Sequence, residues 1–435
     1  MANLMKRISR RRFVKLGGAT VALTVSKVSS AAAAGEADVI IIGAGSFGCN
    51  TAWHLHERGR KVLVLEAQDK PATQATHAGA GFVARWSAVH VPGWGKTEWE
   101  MQVYGINFYT RLAGDCGFDI GFAHCGACYI YRTAQGWERV QAGAARARSY
   151  GTQLEVLSAE RAASVVSPIN FKATKGILLD PDSIRVRAGD AIRCEAEHLG
   201  REGVTFRYNT RVLELVKAGG QVLGVKTNAG EFRAPSTVIA AGAWSRRLAE
   251  SVGAKCPTQA KADTRYTTVP LGIPASLPVL LYNDAAIFYI RYERDGLLIG
   301  GEDRPVDSLN PPLAASIPKD GAYRVREELR QVEPAMPVLK HAEVDVVTSA
   351  VASYTRDQHF ILDAVPGAKG LYVITGCQEA GITHGPALGK MMTELILDGH
   401  TQVDRSGFRL TRFNSSAAAT PWPWMSRRHQ IGAEA

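Results

Sequence analysis

Gly43-Ala44-Gly45-Ser46-Phe47-Gly48 has the spacing G-x-G-x-x-G, which clears side chains from a place where backbone must approach a diphosphate. Further along, Glu66 stands where a carboxylate can accept hydrogen bonds from ribose hydroxyls, with Ala67 beside it. The expected chemistry at this end is therefore dinucleotide binding. Cys125-Gly126-Ala127-Cys128 is the one suggestive cysteine spacing among seven cysteines. It is open to three functional readings, a redox pair, half a metal site or a vicinal disulfide, and to a bland one, buried thiols near a strand start. A zinc site needs two further ligands at similar spacing and the sequence has no second C-x-x-C, so no metal site is expected.

The elements around these residues support the nucleotide reading. Asp38-Val39-Ile40-Ile41-Ile42 is an apolar β-branched run that predicts a buried parallel strand feeding into Gly43. A helix over Thr51 to Arg58 then turns its amino terminus toward the phosphates, and a second strand, Lys61 to Leu65, delivers Glu66. Strand, glycines, helix, strand and acid together specify a dinucleotide site, without choosing between FAD and NAD.

Later segments make that choice through a resemblance. Thr237-Val238-Ile239-Ala240-Ala241-Gly242-Ala243-Trp244-Ser245 resembles the strand and turn of the D-amino-acid oxidase superfamily, which includes glycine and sarcosine oxidases and D-amino-acid dehydrogenases. Gly203-Val204-Thr205-Phe206 and Thr210-Arg211-Val212 resemble the strand and turn whose valine meets the adenine, followed by a β-meander ending at Gly230. Thr355-Arg356-Asp357, Gly376, Gly381-Ile382-Thr383 and Gly385 to Lys390 resemble the closing stretch that wraps the flavin. The resemblance runs from about Asp38 to Phe413 and implies an FAD-binding α/β fold. It implies a Rossmann-type domain, a parallel sheet plus β-meander, assembled from 35–85, 156–254 and 345–413. A second α+β substrate domain on an antiparallel sheet is expected from 86–155 and 255–344, with 414–435 as a tail.

The resemblance also implies site residues. Ala241, Gly242, Trp244, Gly376, Gly381, Ile382 and Thr383 would meet the flavin. Small residues in Ala75-Thr76-His77-Ala78-Gly79-Ala80-Gly81 would run past its phosphates and ring. That segment is similar to one in dimethylglycine and sarcosine dehydrogenases whose histidine is joined covalently to FAD, so His77 is a candidate attachment point. The alternative is an ordinary loop histidine. Cys377 is a second attachment candidate, against a small buried side chain.

On the substrate side, Ile287 to Tyr292 alternates like a strand and Leu297 to Gly301 is expected to pair with it across a turn at Asp295-Gly296. Tyr289 and Arg291 would share one face, a phenol and a guanidinium fork suited to a carboxylate. An ordinary exposed strand arginine remains open, and Arg265, Tyr266 and Arg294 compete for the role. His384 and His90 are candidates for tuning the substrate amine or for filling space.

The activity implied is hydride transfer from the carbon beside nitrogen in an amino acid or related amine to FAD, giving an imine that hydrolyses. Two other readings share the nucleotide motifs: oxidation of a hydroxy acid or polyol, and a non-catalytic flavin-binding redox adaptor. Oxygen or a respiratory carrier would accept the electrons.

Composition bounds the rest. With 46% hydrophobic and 21% charged residues the chain reads as an ordinary globular enzyme. The formal charge is +10, but residues 1–34 carry seven basic and no acidic residues, so the remainder falls to +3 and nucleic-acid binding loses its support. Ser9-Arg10-Arg11-Arg12-Phe13-Val14-Lys15 resembles a twin-arginine signal, followed by a short apolar stretch and Ala31 to Ala34 as a cleavage region. That stretch is shorter than the roughly 20 apolar residues a membrane span needs. Export to the periplasm through the twin-arginine translocase, with cofactor already held, is the expectation.

Overall fold

The computed structural model describes residues 37–414 apart from 86–92, 167–169, 171, 173, 283–287, 318–328, 331, 332 and 335. The twin-arginine segment, His90 and all of the tail after Asn414 lie outside the described residues.

The apolar run at the start becomes the strand Val39–Ile42, buried along its whole length. It sits inside a six-stranded sheet whose order is Ile361–Ala364, Leu371–Thr375, Ser236–Ile239, Val39–Ile42, Val62–Leu65, Thr205–Arg207. The pairings are parallel except the Ile361–Ala364 edge. Alternation explains why the run is apolar throughout. Ile41, Val64 and Val238 face one cluster with Leu55, Phe108 and Leu388, while Ile40, Leu63 and Ile239 face another with Val225 and Leu371. Each fully buried aliphatic side chain contributes about 1.5–3 kcal/mol relative to exposure.

Two helices cross on the first of these faces. The first helix, Ser46–Glu57, begins at the glycine motif, and the closing helix, Gly381–Leu397, packs against it. Gly389 makes their approach possible: a Cβ there would lie 2.5 Å from the Asn50 carbonyl carbon. A disulfide, Cys116–Cys194, ties the end of the helix Lys96–Asp115 to the helix Ala188–Arg201. Cys125 and Cys128 are free thiols, the second one buried.

An antiparallel meander, Val212–Ala218, Gln221–Thr227 and Gly230–Arg233, follows the sheet's last parallel strand. Gly230 begins the third strand of this meander, where the sequence placed its end. The second large sheet has eight strands, in the order Val344–Thr355, Thr258–Thr268, Gly296–Pro305, Phe288–Glu293, Val279–Tyr282, Ala127–Tyr131, Gly176–Asp180, Glu155–Val156. It is antiparallel except where Val279–Tyr282 meets Ala127–Tyr131. Gly176–Asp180 and nearly all of Val344–Thr355 enter this sheet from stretches assigned above to the nucleotide domain.

The expected hairpin is present, with Ile290 opposite Ile299 and Glu293 opposite Gly296. Its turn differs. The left-handed pair is Arg294 (φ 47°) and Asp295 (φ 66°), the backbone of a type I′ turn, and Gly296 already belongs to the strand. Gly296 is required for another reason, since a Cβ there would meet the Thr268 carbonyl at 2.7 Å.

Candidate functional site

A cavity of about 310 Å³ runs from the ends of the parallel strands to the antiparallel sheet. At its first end, Gly43 adopts φ 107°, and a Cβ on it would stand 2.6 Å from the Ala240 carbonyl, so only glycine permits the turn. A Cβ on Gly45 would stand 3.3 Å from the Thr76 hydroxyl, a tight contact, so glycine keeps side-chain bulk out of this part of the cavity wall. The first helix has no acidic residue in its first turn and a glycine, without a side chain, at its N-cap, so its dipole favours an anion there. Ser46 N–H donates to Thr76 Oγ1 at 3.1 Å, and Ser46 Oγ–H donates to the Gly381 carbonyl at 2.8 Å, joining the helix to the closing loop.

Glu66 is held by two backbone donors, Ala44 N–H at 2.8 Å and Gln68 N–H at 2.9 Å. Burial raises its carboxyl above the usual range despite those donors. Ribose hydroxyls are suited to such a group. These residues fit an FAD nucleotide: a side-chain-free cradle, a helix amino terminus and a half-buried carboxylate in sequence along one cavity. The closing helix brings a second uncapped amino terminus, at Gly381 and Ile382, to the same cavity.

The other end is polar on one wall. Asp263 and Arg265, two apart on Thr258–Thr268, line it together with Ser353, Cys377 and Glu379. Arg265 is 6% exposed. Its Nε–H donates to the Tyr289 hydroxyl, and the residue lines the cavity. Burial alone would lower this guanidinium; Tyr289, Asp263 and Glu379 outweigh it and raise it above its ordinary value. Burial pushes the Tyr289 phenol up to about 12 against the pull of Arg265, so it is a neutral hydrogen-bond partner.

The structure brings most of the sequence-predicted cofactor residues together. Gly43, Gly45, Ser46, Phe47, Glu66 and Ala67 line the cavity, as do Gly79, Val212, Ala241, Gly242, Trp244, Gly381 and Ile382. Gly48, Ala78, Gly376 and Thr383 stand outside the lining. Gly48 lets the first helix pass the Gly43 carbonyl, and Gly376 (φ 71°) packs against Thr355. Thr383 donates to the Phe82 carbonyl at 3.0 Å. His77 is exposed beside Gly189 and Arg193 and is not among the lining residues, although its loop neighbours Thr76 and Gly79 are; partial desolvation, with nearby Arg193, lowers its basicity.

Arg291 and Tyr289 take different places from the expected pair. Arg291 is buried and paired with Glu293 at 2.7 Å, and its Nε–H donates to the Ala80 carbonyl at 2.5 Å, so its charge is already neutralised outside the cavity lining. Tyr289 reaches the site through Arg265. The structure therefore moves the cavity-facing guanidinium from Arg291 to Arg265. His384 is also outside the lining. It is fully buried between Trp94 and Phe360, its ring nitrogen Nδ1 lies 3.1 Å from the Ala380 carbonyl, and burial lowers its pKa to about 4.

Asp263, Glu379 and Ser353 were missed by sequence reasoning. The alternation Asp263-Thr264-Arg265 inside a long strand was the available signal for the first. Nothing local marks Glu379 except its position in the glycine-rich closing loop.

A family model described as "FAD dependent oxidoreductase" matches residues 38–395. The 4-methylaminobutanoate oxidase (formaldehyde-forming) of Paenarthrobacter nicotinovorans is 28% identical over 86% of this chain and 45% of its own length. The mitochondrial pyruvate dehydrogenase phosphatase regulatory subunit of Mus musculus is 26% identical over 90% of this chain and 45% of its own length. The chain thus spans about half the length of these relatives. Among solved structures, glycine oxidase from Geobacillus kaustophilus superposes with a TM-score of 0.75 at 22% identity, covering 86% of this chain and 98% of that one.

Proposed function

Because the chain belongs to the family of FAD-dependent oxidoreductases, we propose that it oxidises the carbon–nitrogen bond of an amino acid or N-alkyl amino acid. FAD, when bound, supplies the hydride acceptor. The observation that carries the substrate reading is Arg265, a buried guanidinium that lines the cavity with its Nε held by Tyr289. Such a fork suits a carboxylate. The named substrate of the bacterial relative is an N-methylated amino acid, in line with this reading.

Each group has a part in that reaction. Gly43, Gly45 and the start of the first helix would hold the diphosphate, and Glu66 the ribose. The uncapped start of the closing helix would favour negative charge gathering near the cofactor ring. Arg265 would anchor the substrate carboxylate, while Ala350, Val351, Ala352 and Leu313 give the wall apolar surface that excludes water. The imine product then hydrolyses in water to an oxo compound and an amine.

The placement of His77 against Gly189 and Arg193 favours a dissociable cofactor over covalent attachment. Acid precipitation should leave a yellow supernatant; a yellow pellet would restore a covalent link. Export by the twin-arginine route belongs to the same proposal, with the Cys116–Cys194 disulfide in its support, since such bonds persist in oxidising compartments. Oxygen or a respiratory carrier would accept the electrons there.

A non-catalytic reading draws on the regulatory subunit among the relatives. The discriminating experiment is anaerobic addition of N-methyl, D- and L-amino acids to the yellow protein while absorbance near ~450 nm is followed. Bleaching by an amine is expected. Bleaching by hydroxy acids alone, or by nothing, would sink the proposal.

A further inference from the structure

Arg265 is not alone on the polar wall. Asp263 and Glu379 line the same cavity, and the Tyr354 hydroxyl stands between their carboxyl groups. It lies 3.0 and 3.2 Å from the two Asp263 oxygens and in hydrogen-bond contact with Glu379 Oε1. A phenol carries one proton, so it can donate to one carboxylate and must accept from the other. With both carboxylates ionised, one contact lacks a proton. The array therefore has room for one more proton than it holds in its fully charged form.

The surroundings keep this array in place. From the strand Thr258–Thr268 come Arg265 and Lys261, whose ammonium sits 4.1 Å from the centre of the Tyr354 ring. Tyr289 adds a phenol behind Arg265, and Cys377 adds a thiol that burial raises. Gln378 (φ 50°) and Glu379 (φ 61°) are consecutive non-glycine residues in the left-handed region. Such backbone is costly and persists where the surroundings impose it. Here Gln378 is pinned, its N–H to the Ser353 carbonyl at 3.1 Å and its side chain to Thr355 Oγ1 at 2.7 Å, and the loop directs Glu379 to the cavity.

Resting on the amine-oxidation reading above, we propose that the Asp263–Tyr354–Glu379 array accepts the proton of the substrate's ammonium group. The N–H bond breaks, an O–H bond forms on a carboxylate facing the cavity, and the electron pair stays on nitrogen. Hydride can leave the adjacent carbon only when that pair is free. In water at pH 7 an amine with a pKa near ~10 is neutral in about one molecule per thousand, so an acceptor in the site has a large effect to supply. Arg265 holds the carboxylate end of the same substrate, two residues along the strand.

The test uses the flavin-loaded protein and the amine that bleaches it, with reduction followed by anaerobic rapid mixing from pH 6 to 10. Glu379→Gln should reduce about 100-fold more slowly than wild type near pH 7 and recover to within a few-fold by pH 10, where solvent removes the proton. A thioether carboxylate, with sulfur in place of the amine, has no proton to lose and should perturb the flavin spectrum of both proteins at similar concentrations. Where Glu379→Gln holds no flavin, Tyr354→Phe removes only the hydroxyl and should show the same pH-dependent loss. An unchanged pH profile, an equal loss at every pH, or parallel loss of thioether binding would overturn the inference while amine oxidation stood. A wild-type protein that no amine reduces would overturn the functional reading, and this inference with it.

Discussion

Arg265 and Arg291 belong to the same sheet, are both buried, and differ in what surrounds the charge. Arg291 is matched by Glu293 and the Ala80 carbonyl, so its role is internal. Removing one partner of a buried pair leaves an uncompensated charge and costs about 3–5 kcal/mol. Arg291→Met should therefore lower the melting temperature markedly, with substrate KM little changed in whatever protein remains folded. Arg265→Met should instead cost activity as well as stability: kcat/KM for a carboxylate-bearing amine falls about 100-fold, or about 2.7 kcal/mol, and the melting temperature falls too because buried Asp263 loses its neighbouring cation. Loss of KM in the Arg291 variant and none in the Arg265 variant would reverse the assignment. The sequence put Arg291 first and Arg265 among its competitors, the reverse of their order at the cavity, because alternation reveals which residues share a face and is silent on which face meets the cavity. What ranks them is Glu293, a partner two residues away on the same strand, and Tyr289, which reaches across the sheet to Arg265.

At the scale of elements, legibility followed periodicity. Val39–Ile42, its helix and the strand delivering Glu66 were readable because each is local, whereas the turn at Arg294–Asp295 was misplaced by one residue because Gly296 is demanded by its neighbour Thr268 rather than by the turn. The closing helix holds a testable consequence of its packing. His384, on its first turn, is enclosed by Trp94 and Phe360, and burial lowers its pKa from the usual 6.5 to about 4. The folded state thus holds this ring neutral where the unfolded chain would protonate it. Its contribution is complete above pH 6.5 and is lost as pH falls from 6.5 toward 4, on the order of 2 kcal/mol by pH 4.5. Urea unfolding of wild type at pH 7 and 4.5 should show that loss on top of what other groups contribute, and His384→Leu should show less pH dependence by about that amount. Identical slopes in the two proteins would mean that His384 accepts a proton without unfolding the closing helix.

For the molecule as a whole, the Cys116–Cys194 bond links two helices that flank the first one, across 78 residues of sequence. Nothing in the cysteine spacing announced it, since the pair is assembled by tertiary packing and the eye is drawn instead to Cys125 and Cys128, which stay free. A disulfide closing a loop of that length stabilises by about 2–4 kcal/mol, chiefly by restricting the unfolded chain. The bond also bears on where the protein works, because a reducing cytoplasm would hold the same two cysteines as thiols even in a fully folded, flavin-loaded chain. Twin-arginine export of an already folded protein would then make oxidation a late event that requires the two sulfurs to be in contact before arrival, as the fold places them. Alkylation in denaturant at harvest, followed by mass measurement, should find five modified cysteines in protein from the periplasm. The Arg10→Lys/Arg11→Lys variant should remain in the cytoplasm and show seven, with a lower melting temperature that oxidation restores. Five thiols in the retained variant would separate the disulfide from export, and a variant still found in the periplasm would remove the twin-arginine reading altogether.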